Sequence, residues 1–388
     1  MIILDKPFVS DLLKETILRN KYPIVIPSNK KELGLEGFSS LSTSEAIQNI
    51  AGLEYPKIYS NSENSIDWIN ENLANTKLPG IINLFKDKLL FCKRFESTYD
   101  NFYFKGIEKK KLSTIDPAAI TFPVILKPSV GFFSMGVYKI SSVVEWNNAV
   151  KNITKIIETT NELYPSTVLN ADWFIIEQFV NGEEYAFDAY FDECGKPMIL
   201  NIFKHLFSGE DDVGDRVYVS SKDIIYDKLE RFTNFLVELG EIADLKNFPL
   251  HSEVRITENN KLFPIEVNPM RFGGWCTTAD STYFSYGINP IEYFFNGQKP
   301  DWEKIFKGKE NKLYSIIALD NSTGYKATEI KSFNYDKLLA NFQNPLEVRK
   351  MKVSEYNVFG FLFCETEKEN FSELENILLS NLKEFVEI

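Results

Sequence analysis

The segment from His251 to Pro269, HSEVRITENNKLFPIEVNP, constrains the fold of this chain more than any other. Apolar and polar residues alternate on both sides of Asn259-Asn260, which is typical of an antiparallel hairpin. Because asparagine tolerates a positive φ, these two residues suit a two-residue turn. The segment therefore predicts an antiparallel sheet with one core face and one polar face.

The predicted turn fixes which residues face each other across the hairpin. Val254 lies opposite Ile265, and Glu253 lies opposite Glu266. Directly opposed residues share a face of the sheet. The predicted core face holds Val254, Ile256, Phe263, Ile265 and Val267. The predicted polar face holds His251, Glu253, Arg255, Glu266 and Asn268.

The polar face places two carboxylates across from each other with an amide beside them. Such a pair is destabilising unless something compensates the like charges. Mg²⁺ would compensate them, since it takes oxygen ligands from one or two carboxylates and completes its shell with water and substrate phosphates. The alternative is a solvated polar face on which Arg255 neutralises one of the glutamates. The hairpin alone leaves both interpretations open.

A lysine followed by a glycine loop is the second signal. The buried strand FPVILK ends at Lys127, and a loop with Ser129, Gly131, Ser134 and Gly136 leads to another strand. Glycines let backbone N–H groups approach phosphate oxygens, and serine hydroxyls add donors. The lysine precedes the glycines, unlike in a P-loop, and no helix follows, unlike in a Rossmann fingerprint. An ordinary hairpin remains the alternative.

The third signal is the segment IEQFVNGEEY, residues 176–185. A strand edge there can offer backbone groups to a purine ring, and a carboxylate beyond the Asn181-Gly182 turn can accept hydrogen bonds from ribose hydroxyls. The alternative is a hairpin with exposed glutamates.

Other segments predict mixed α/β architecture. Residues 1–85 alternate short strands and helices, and apolar residues from Ile81 to Phe95 recur at the spacing of one amphipathic helix. The net charge of −12 argues against nucleic-acid and anionic-membrane partners. Two histidines exclude a three-histidine zinc site. Without a signal peptide or a membrane helix in the sequence, a cytoplasmic protein is expected.

Taken in order, the lysine–glycine loop, EQFVNGEE and the E-x12-EVN pattern resemble the ATP-grasp superfamily over roughly residues 80–300. The greatest likeness is to carboxylate–amine ligases such as D-alanine–D-alanine ligase and amino-acid ligases. The resemblance implies an ATP-grasp fold of the α/β and α+β class. It divides the chain into an N-terminal α/β pre-ATP-grasp domain, 1–85, a small subdomain with the phosphate loop, 86–182, a large subdomain with the metal site, 183–300, and a C-terminal α/β extension, 301–388.

The resemblance also assigns roles to particular residues. Lys127 and Arg271 resemble the catalytic cations that hold the phosphates and the substrate. The ATP-binding positions match Lys88, Lys127, Ser129, Ser134, Glu177, Gln178, Val180 and Glu184. The metal ligands match Glu253, Glu266 and Asn268. His251 stands where some members place a phosphate-binding arginine.

The implied function is that of an ATP- and Mg²⁺-dependent ligase, for which Mn²⁺ is an expected substitute cofactor. It would activate a small-molecule carboxylate as an acyl phosphate and join it to an amine or similar nucleophile. The alternatives are an ATP-grasp phosphotransferase and a non-catalytic nucleotide-binding module. Related ligases are often dimers, so a homodimer is among the expected assemblies.

Overall fold

The computed structural model of the protein describes residues 1–98, 102–130, 136–160, 170–209 and 214–388. Three short parallel strands form the N-terminal sheet, in the order β2-β1-β3. The strands are β1 (Ile2–Ile3), β2 (Ile24–Val25) and β3 (Tyr59–Ser60). The helices of this part are α1 (Asp11–Asn20), α2 (Thr43–Asn49), α3 (Ile66–Asn72), α4 (Leu78–Lys86) and α5 (Lys88–Arg94).

A four-stranded antiparallel sheet follows among the described residues. Its strands, in the order β4-β7-β5-β6, are β4 (Phe104–Glu108), β5 (Val124–Val130), β6 (Tyr138–Ile140) and β7 (Asn170–Gln178). Helix α6 (Val143–Thr160) covers one face, where Trp146, Ala149 and Ile153 pack on strand residues such as Leu126 and Ile176. We refer to these strands as the small sheet.

The large sheet has eight strands in the part of the chain that the structure describes. In spatial order they are β12 (Leu262–Pro269), β11 (Phe248–Ile256), β8 (Glu183–Phe191), β9 (Pro197–Leu206), β10 (Val217–Ser221), β13 (Lys312–Asp320), β16 (Val358–Glu367) and β15 (Asn344–Lys350). Every pairing is antiparallel. The last three strands belong to the predicted C-terminal extension, so residues after 300 continue the sheet that carries the predicted metal ligands.

Helices cover the large sheet and complete the C-terminal part. They are α7 (Lys222–Ala243), α8 (Thr277–Tyr286), α9 (Pro290–Asn296), α10 (Trp302–Ile305), α11 (Tyr335–Leu339), α12 (Val353–Tyr356) and α13 (Ser372–Leu379), and strands β14 (Ser332–Phe333) and β17 (Val386–Glu387) pair with each other. The longest, α7, packs its apolar side on the sheet, with the rings of Phe187 and Phe232 stacked at 4.9 Å. None of the described helices is long and apolar enough to cross a membrane.

The largest core cluster joins the N-terminal helices to the large sheet. It contains Phe85 and Phe91 from α4 and α5 together with Phe248 from β11, and the rings of Phe85 and Phe248 lie 6.0 Å apart. This packing holds the start of α5 beside β12, which positions one of the predicted lysines.

Candidate active site

A pocket lies between α5, the small sheet and β12. Its lining includes four predicted site residues: Lys88, Lys127, Glu177 and Glu266. The rest of the lining is mostly apolar: Phe85, Phe91, Cys92, Phe102, Phe263, Pro264, Ile265 and Val267. An apolar wall with a few converging polar groups is typical of a small-molecule site. The structure thus brings together one lysine and one glutamate from each side of the space between the sheets.

Three rows of polar side chains cross the neighbouring strands β8, β11 and β12. Cross-strand pairing sets Glu184 beside Arg255 in the first row. The second row pairs Glu253 with Glu266, as predicted from the hairpin. The third row is Asp188, His251 and Asn268. The predicted metal ligands therefore lie in two adjacent rows.

The opposed glutamates have opposite pKa shifts. Burial raises the pKa of Glu253, and the negative charge of Glu266 raises it further. Burial also disfavours the charge of Glu266, but Lys88 and Lys86 hold the pKa of this carboxyl below its ordinary value. The pair thus places one carboxylate whose charge is stabilised by lysines next to one whose charge is disfavoured by burial and by its neighbour.

The outer half of the hairpin is shifted by one residue from the predicted register. The N–H of Thr257 donates to the carbonyl of Lys261 at 3.0 Å, so the loop contains the three residues 258–260. Asn260 adopts a φ of 58°. The predicted two-residue turn at Asn259-Asn260 is therefore wrong, because a three-residue loop ending in a left-handed residue replaces it.

A β-bulge restores the predicted register next to the carboxylates. Val254 pairs with Pro264, and Ile265, its predicted partner, is the extra residue. Pro264 has no N–H to donate, which suits an irregular ladder. The bulge also moves Phe263 off the predicted core face, because its cross-strand partner is Arg255. Phe263 lines the pocket instead.

Two aromatic side chains form part of the apolar wall of this pocket. The rings of Phe102 and Phe263 lie 5.6 Å apart. Their planes are inclined by 36°, and aromatic side chains of this kind can pack against a planar ring such as a nucleobase. Neither residue was among the predicted site residues, and the signal that could have revealed Phe263 is the proline that follows it inside a strand.

Lys127 forms a buried ion pair on the small sheet. Its Nζ lies 2.5 Å from Oε1 of Glu177, and the two residues are only 5% and 8% exposed. Ser129 is buried in the same strand, β5. Ser134 and most of the predicted phosphate loop lie outside the described residues. The lysine charge thus reaches the pocket from the strand before that loop.

Lys88 reaches the pocket because the predicted helix over Ile81 to Phe95 is broken. Asp87 leaves helical geometry, with φ −88° and ψ 98°, and its carboxylate accepts hydrogen bonds from two backbone N–H groups at the start of α5. This N-cap ends the first helix and begins the second. Lys88 is then the first residue of α5, with Nζ 2.9 Å from Oε1 of Glu266.

Arg271 lies beside a glutamate from the N-terminal part of the chain. Its Nη2 and Nε are 2.6 and 3.1 Å from Oε1 of Glu63. Lys86 forms an ion pair with the same carboxylate. Burial opposes the charge of Glu63, but Arg271 and Lys86 lower its pKa to about 2. Glu63 and Lys86 were not predicted: Lys86 is in the same KDK motif as Lys88, whereas Glu63 has no local signal.

Glu184, the predicted ribose ligand, is held by an arginine and a histidine. Its Oε2 lies 2.7 Å from Nε of Arg255, and its Oε1 lies 3.1 Å from Nδ1 of His205. Arg255 also donates to the carbonyl of Val180 at 2.9 Å. Burial opposes ionisation, yet His205 and Arg255 lower the pKa of Glu184. Arg255 therefore pairs with Glu184, and the alternative in which it neutralises one of the opposed glutamates is wrong.

Gln178 and Val180, which are predicted to contact adenine, lie near this pair. Gln178 is exposed at the end of β7, and Val180 is buried just beyond it. The carbonyl of Val180 accepts a hydrogen bond from Arg255. The first row of polar side chains therefore contacts the segment that connects the two sheets.

His251 connects the third row to the opposed glutamates. Its Nδ1 lies 2.7 Å from Oδ1 of Asp188, and its Nε2 lies 3.6 Å from Oε1 of Glu253. Burial disfavours the imidazolium, but these two carboxylates raise its pKa to about 9. Asp188 is fully buried and was not predicted. A histidine bearing positive charge thus lies beside Glu253, where the resemblance places an arginine in some proteins.

The donor set fits Mg²⁺ better than a transition metal. Within the described ranges, no group of three or more His, Cys, Asp or Glu side chains has an arrangement that could hold a metal. The predicted set needs no such group, since it combines Glu253 and Glu266 with the buried amide of Asn268. Mg²⁺ requires only one or two protein carboxylates when phosphates supply other ligands. The opposed carboxylates meet that requirement.

Comparisons with known proteins identify similar folds. A protein family described as "ATP-grasp domain" matches residues 120–279. The L-amino acid ligase from Bacillus licheniformis is 15% identical, with a TM-score of 0.68 over 99% of this chain and 97% of that chain. The N5-carboxyaminoimidazole ribonucleotide synthetase from Thermotoga maritima is 12% identical, with a TM-score of 0.64 over 100% and 98%.

A third similar structure was solved with a nucleotide. The biotin carboxylase domain of the 2-oxoglutarate carboxylase from Hydrogenobacter thermophilus, in complex with MgADP, ADP and bicarbonate, is 13% identical, with a TM-score of 0.62 over 96% of this chain and 89% of that chain. No curated protein gives a significant match. The structural similarity extends over nearly the whole chain, so the predicted fold class is confirmed.

Proposed function

We propose that the protein is an ATP- and Mg²⁺-dependent carboxylate–amine ligase, because the chain has the ATP-grasp fold and residues 120–279 match the ATP-grasp domain family. It activates a small-molecule carboxylate as an acyl phosphate and joins it to an amine or a similar nucleophile. One observation carries the proposal: Lys88, Lys127, Glu177 and Glu266 line a single pocket between the two sheets. Residues 86–182 and 183–300 would be the two subdomains that close on ATP, after a pre-ATP-grasp domain, 1–85.

The nucleotide would lie across this pocket. Phe102 and Phe263 would pack against the adenine ring there, and Gln178 and the backbone of Val180 would contact its edge. Glu184 would accept hydrogen bonds from the ribose hydroxyls. Lys88 and Lys127 would exchange their present carboxylate partners for phosphate oxygens, since charge-assisted bonds to phosphate are strong. Ser129 and Ser134 would add hydroxyl donors.

Glu253, Glu266 and Asn268 would hold Mg²⁺, or Mn²⁺ in its place. A bound Mg²⁺ supplies positive charge that stabilises the phosphates as their charge shifts. The repulsion between the opposed carboxylates supports this assignment, because a cation relieves it. Binding would also free Lys88 from Glu266, so that the lysine charge becomes available to the phosphates.

The residues of the chain would then assist two successive displacements. A carboxylate is a poor electrophile until its oxygen accepts the γ-phosphoryl group of ATP, which releases ADP. The amine next attacks the acyl carbon, loses a proton, and expels phosphate. Arg271, held by Glu63, would orient the carboxylate or the acyl phosphate, and Lys127 would stabilise charge on the transferring group.

The test is a substrate screen. The protein would be incubated with ATP, Mg²⁺ and pairs drawn from a panel of amino acids and other small carboxylates, with ADP and phosphate measured and products identified by mass spectrometry. A ligase gives equal amounts of ADP, phosphate and a condensed product. A stable phosphorylated compound without free phosphate would instead identify a phosphotransferase. Nucleotide binding without turnover across the panel would indicate a binding module.

The partners are small-molecule substrates, and nucleic acid and membranes are not among them. The resemblance to ligases that form dimers makes a homodimer the assembly to test by light scattering. The expected compartment is the cytoplasm.

A further inference from the structure

The loop after β12 has an unusual backbone. Met270, Trp275 and Cys276 adopt φ values of 66°, 58° and 59°. Non-glycine residues rarely take up this left-handed conformation, and they keep it only where the surroundings hold them. The loop, residues 270–276, contains Arg271 and follows the predicted metal ligands directly. The contacts that hold the loop therefore contribute, together with the ion pair to Glu63, to the position of Arg271.

Arg349 contacts the end of this loop and the helix that follows it. Its Nη1 donates to the carbonyl of Trp275 at 2.5 Å, and its Nη2 forms an ion pair with Asp280 in α8. The guanidinium is 10% exposed and the Asp280 carboxylate 4% exposed. A planar guanidinium can make both contacts at once, whereas an ammonium group cannot reproduce that geometry.

Aromatic rings pack around the guanidinium group of Arg349. The Cζ atom lies 4.6 Å from the ring centre of Phe8 and 5.9 Å from that of Phe361. The ring of Trp275 packs against Tyr356 at 4.9 Å and against Phe361 at 6.0 Å. The C-terminal strands thus support both the carbonyl and the ring of Trp275.

Two other features fix the position of this arginine. A Cβ at Gly360 would lie 2.1 Å from the carbonyl oxygen of Arg349, so only glycine permits the close pairing of β15 with β16 there. Ser10 donates to Asp280 at 3.0 Å and also caps α1. Three distant segments of the chain therefore meet at one buried ion pair.

We propose that Arg349 is a positioning residue for the non-nucleotide substrate: it holds loop 270–276 so that Arg271 faces the reacting carboxylate. The inference rests on the proposed function. In the part of the chain that the structure describes, Arg349 contacts Trp275, Asp280 and the rings of Phe8, Phe361 and Phe363, and none of these is assigned to ATP. It also lies outside the segment that matches the ATP-grasp domain. The C-terminal strands would thereby take part in substrate recognition as well as extend the sheet.

The test compares Arg349→Met and Arg349→Lys with Lys350→Met, an exposed neighbour on the same strand. Hydrogen–deuterium exchange should rise in residues 270–280 of Arg349→Met and stay at the wild-type level in Lys350→Met. Calorimetry should give an affinity for a Mg²⁺-bound, non-hydrolysable ATP analogue within about twofold of wild type. With a substrate pair from the screen, the KM for the carboxylate should rise about tenfold, as expected for one lost charge-assisted contact, and Arg349→Lys should recover part of that loss.

The outcomes separate this inference from the proposed function. Unchanged exchange in residues 270–280 of Arg349→Met overturns it. A loss of affinity for the ATP analogue as large as the rise in KM for the carboxylate also overturns the proposal, because Arg349 would then support the whole site. If no substrate pair reacts, the proposed function fails, whereas the exchange and nucleotide measurements still decide whether Arg349 holds the loop independently of the nucleotide site.

Discussion

At the scale of single residues, the two opposed carboxylates, Glu253 and Glu266, are stabilised by different neighbours. Glu266 has Lys88 at 2.9 Å, whereas Glu253 has the imidazole of His251 at 3.6 Å. Local spacing in the sequence predicted that the two carboxylates oppose each other. It did not predict Asp188 or Glu63, because their partners come from strands and loops far away along the chain.

Replacing Glu266 with glutamine should lower the rate of ATP turnover by about 100-fold or more, while the protein stays folded. The amide keeps the size of the side chain and removes the charge that would hold Mg²⁺. ADP formation and the Mg²⁺ dependence of nucleotide affinity measure the effect, and thermal unfolding checks the fold. Glu258→Gln, an exposed position in the same hairpin, should behave as wild type. Wild-type turnover in Glu266→Gln would remove the metal assignment.

Replacing Lys127 with alanine should weaken the binding of a non-hydrolysable ATP analogue by about ten- to a hundredfold, since a hydrogen bond to a charged group contributes roughly 1.5–3 kcal/mol. Calorimetry measures the affinity directly. Lys105→Ala, on an exposed position of the same sheet, is the matched control. Equal affinities for the two variants would count against a phosphate-binding role for Lys127.

Glu63 should make stability depend on pH in the acid range. Its pKa is about 2 in the folded protein, against 4.5 as the ordinary value. A lowered pKa contributes stability above pH 4.5, and this contribution is lost as the pH falls toward 2. The difference in unfolding free energy between wild type and Glu63→Gln should therefore shrink by roughly 2 kcal/mol between pH 7 and pH 3. Urea unfolding at both pH values would show it, and a constant difference would contradict the ion pairs with Arg271 and Lys86.

At the scale of elements, two local irregularities position the site. The N-cap at Asp87 turns Lys88 toward Glu266, and the bulge at Ile265 brings Phe263 to the pocket. The apolar spacing from 81 to 95 and the alternation in the hairpin predicted helix and strands there. Neither pattern predicted the irregularities, because a cap that divides a helix and a bulge that shifts strand pairing by one residue leave the order of apolar residues in the sequence unchanged.

Gly182 lies in the turn between β7 and β8, where this turn packs closely against the end of β11. A Cβ there would lie 2.3 Å from the carbonyl oxygen of Ile256, the last residue of β11. Gly182→Ala should lower the unfolding free energy by about 1–3 kcal/mol. Gly80→Ala, in α4 with no atom within 4 Å of the added Cβ, should leave it unchanged or raise it by up to about 1 kcal/mol. Similar changes in chemical denaturation for the two variants would contradict this contact.

At the scale of the whole molecule, the order of the motifs predicted the ATP-grasp fold. Each motif lies on or next to a strand, and the family resemblance implies how these strands are arranged. The position of the C-terminal strands could not be predicted from the sequence, because residues 312–367 join the sheet through the pairing of β13 with β10, which lies nearly 100 residues earlier in the chain. That distance also concealed the contact between Arg349 and the loop after β12. The division into four domains remains a prediction.

The most direct test is a crystal structure with Mg²⁺ and a non-hydrolysable ATP analogue. The account predicts the metal between Glu253 and Glu266, with phosphate oxygens within hydrogen-bond distance of Lys127 and Lys88, and with Glu184 on the ribose. A nucleotide bound elsewhere, or a triphosphate that touches neither the opposed carboxylates nor Lys127, would contradict it.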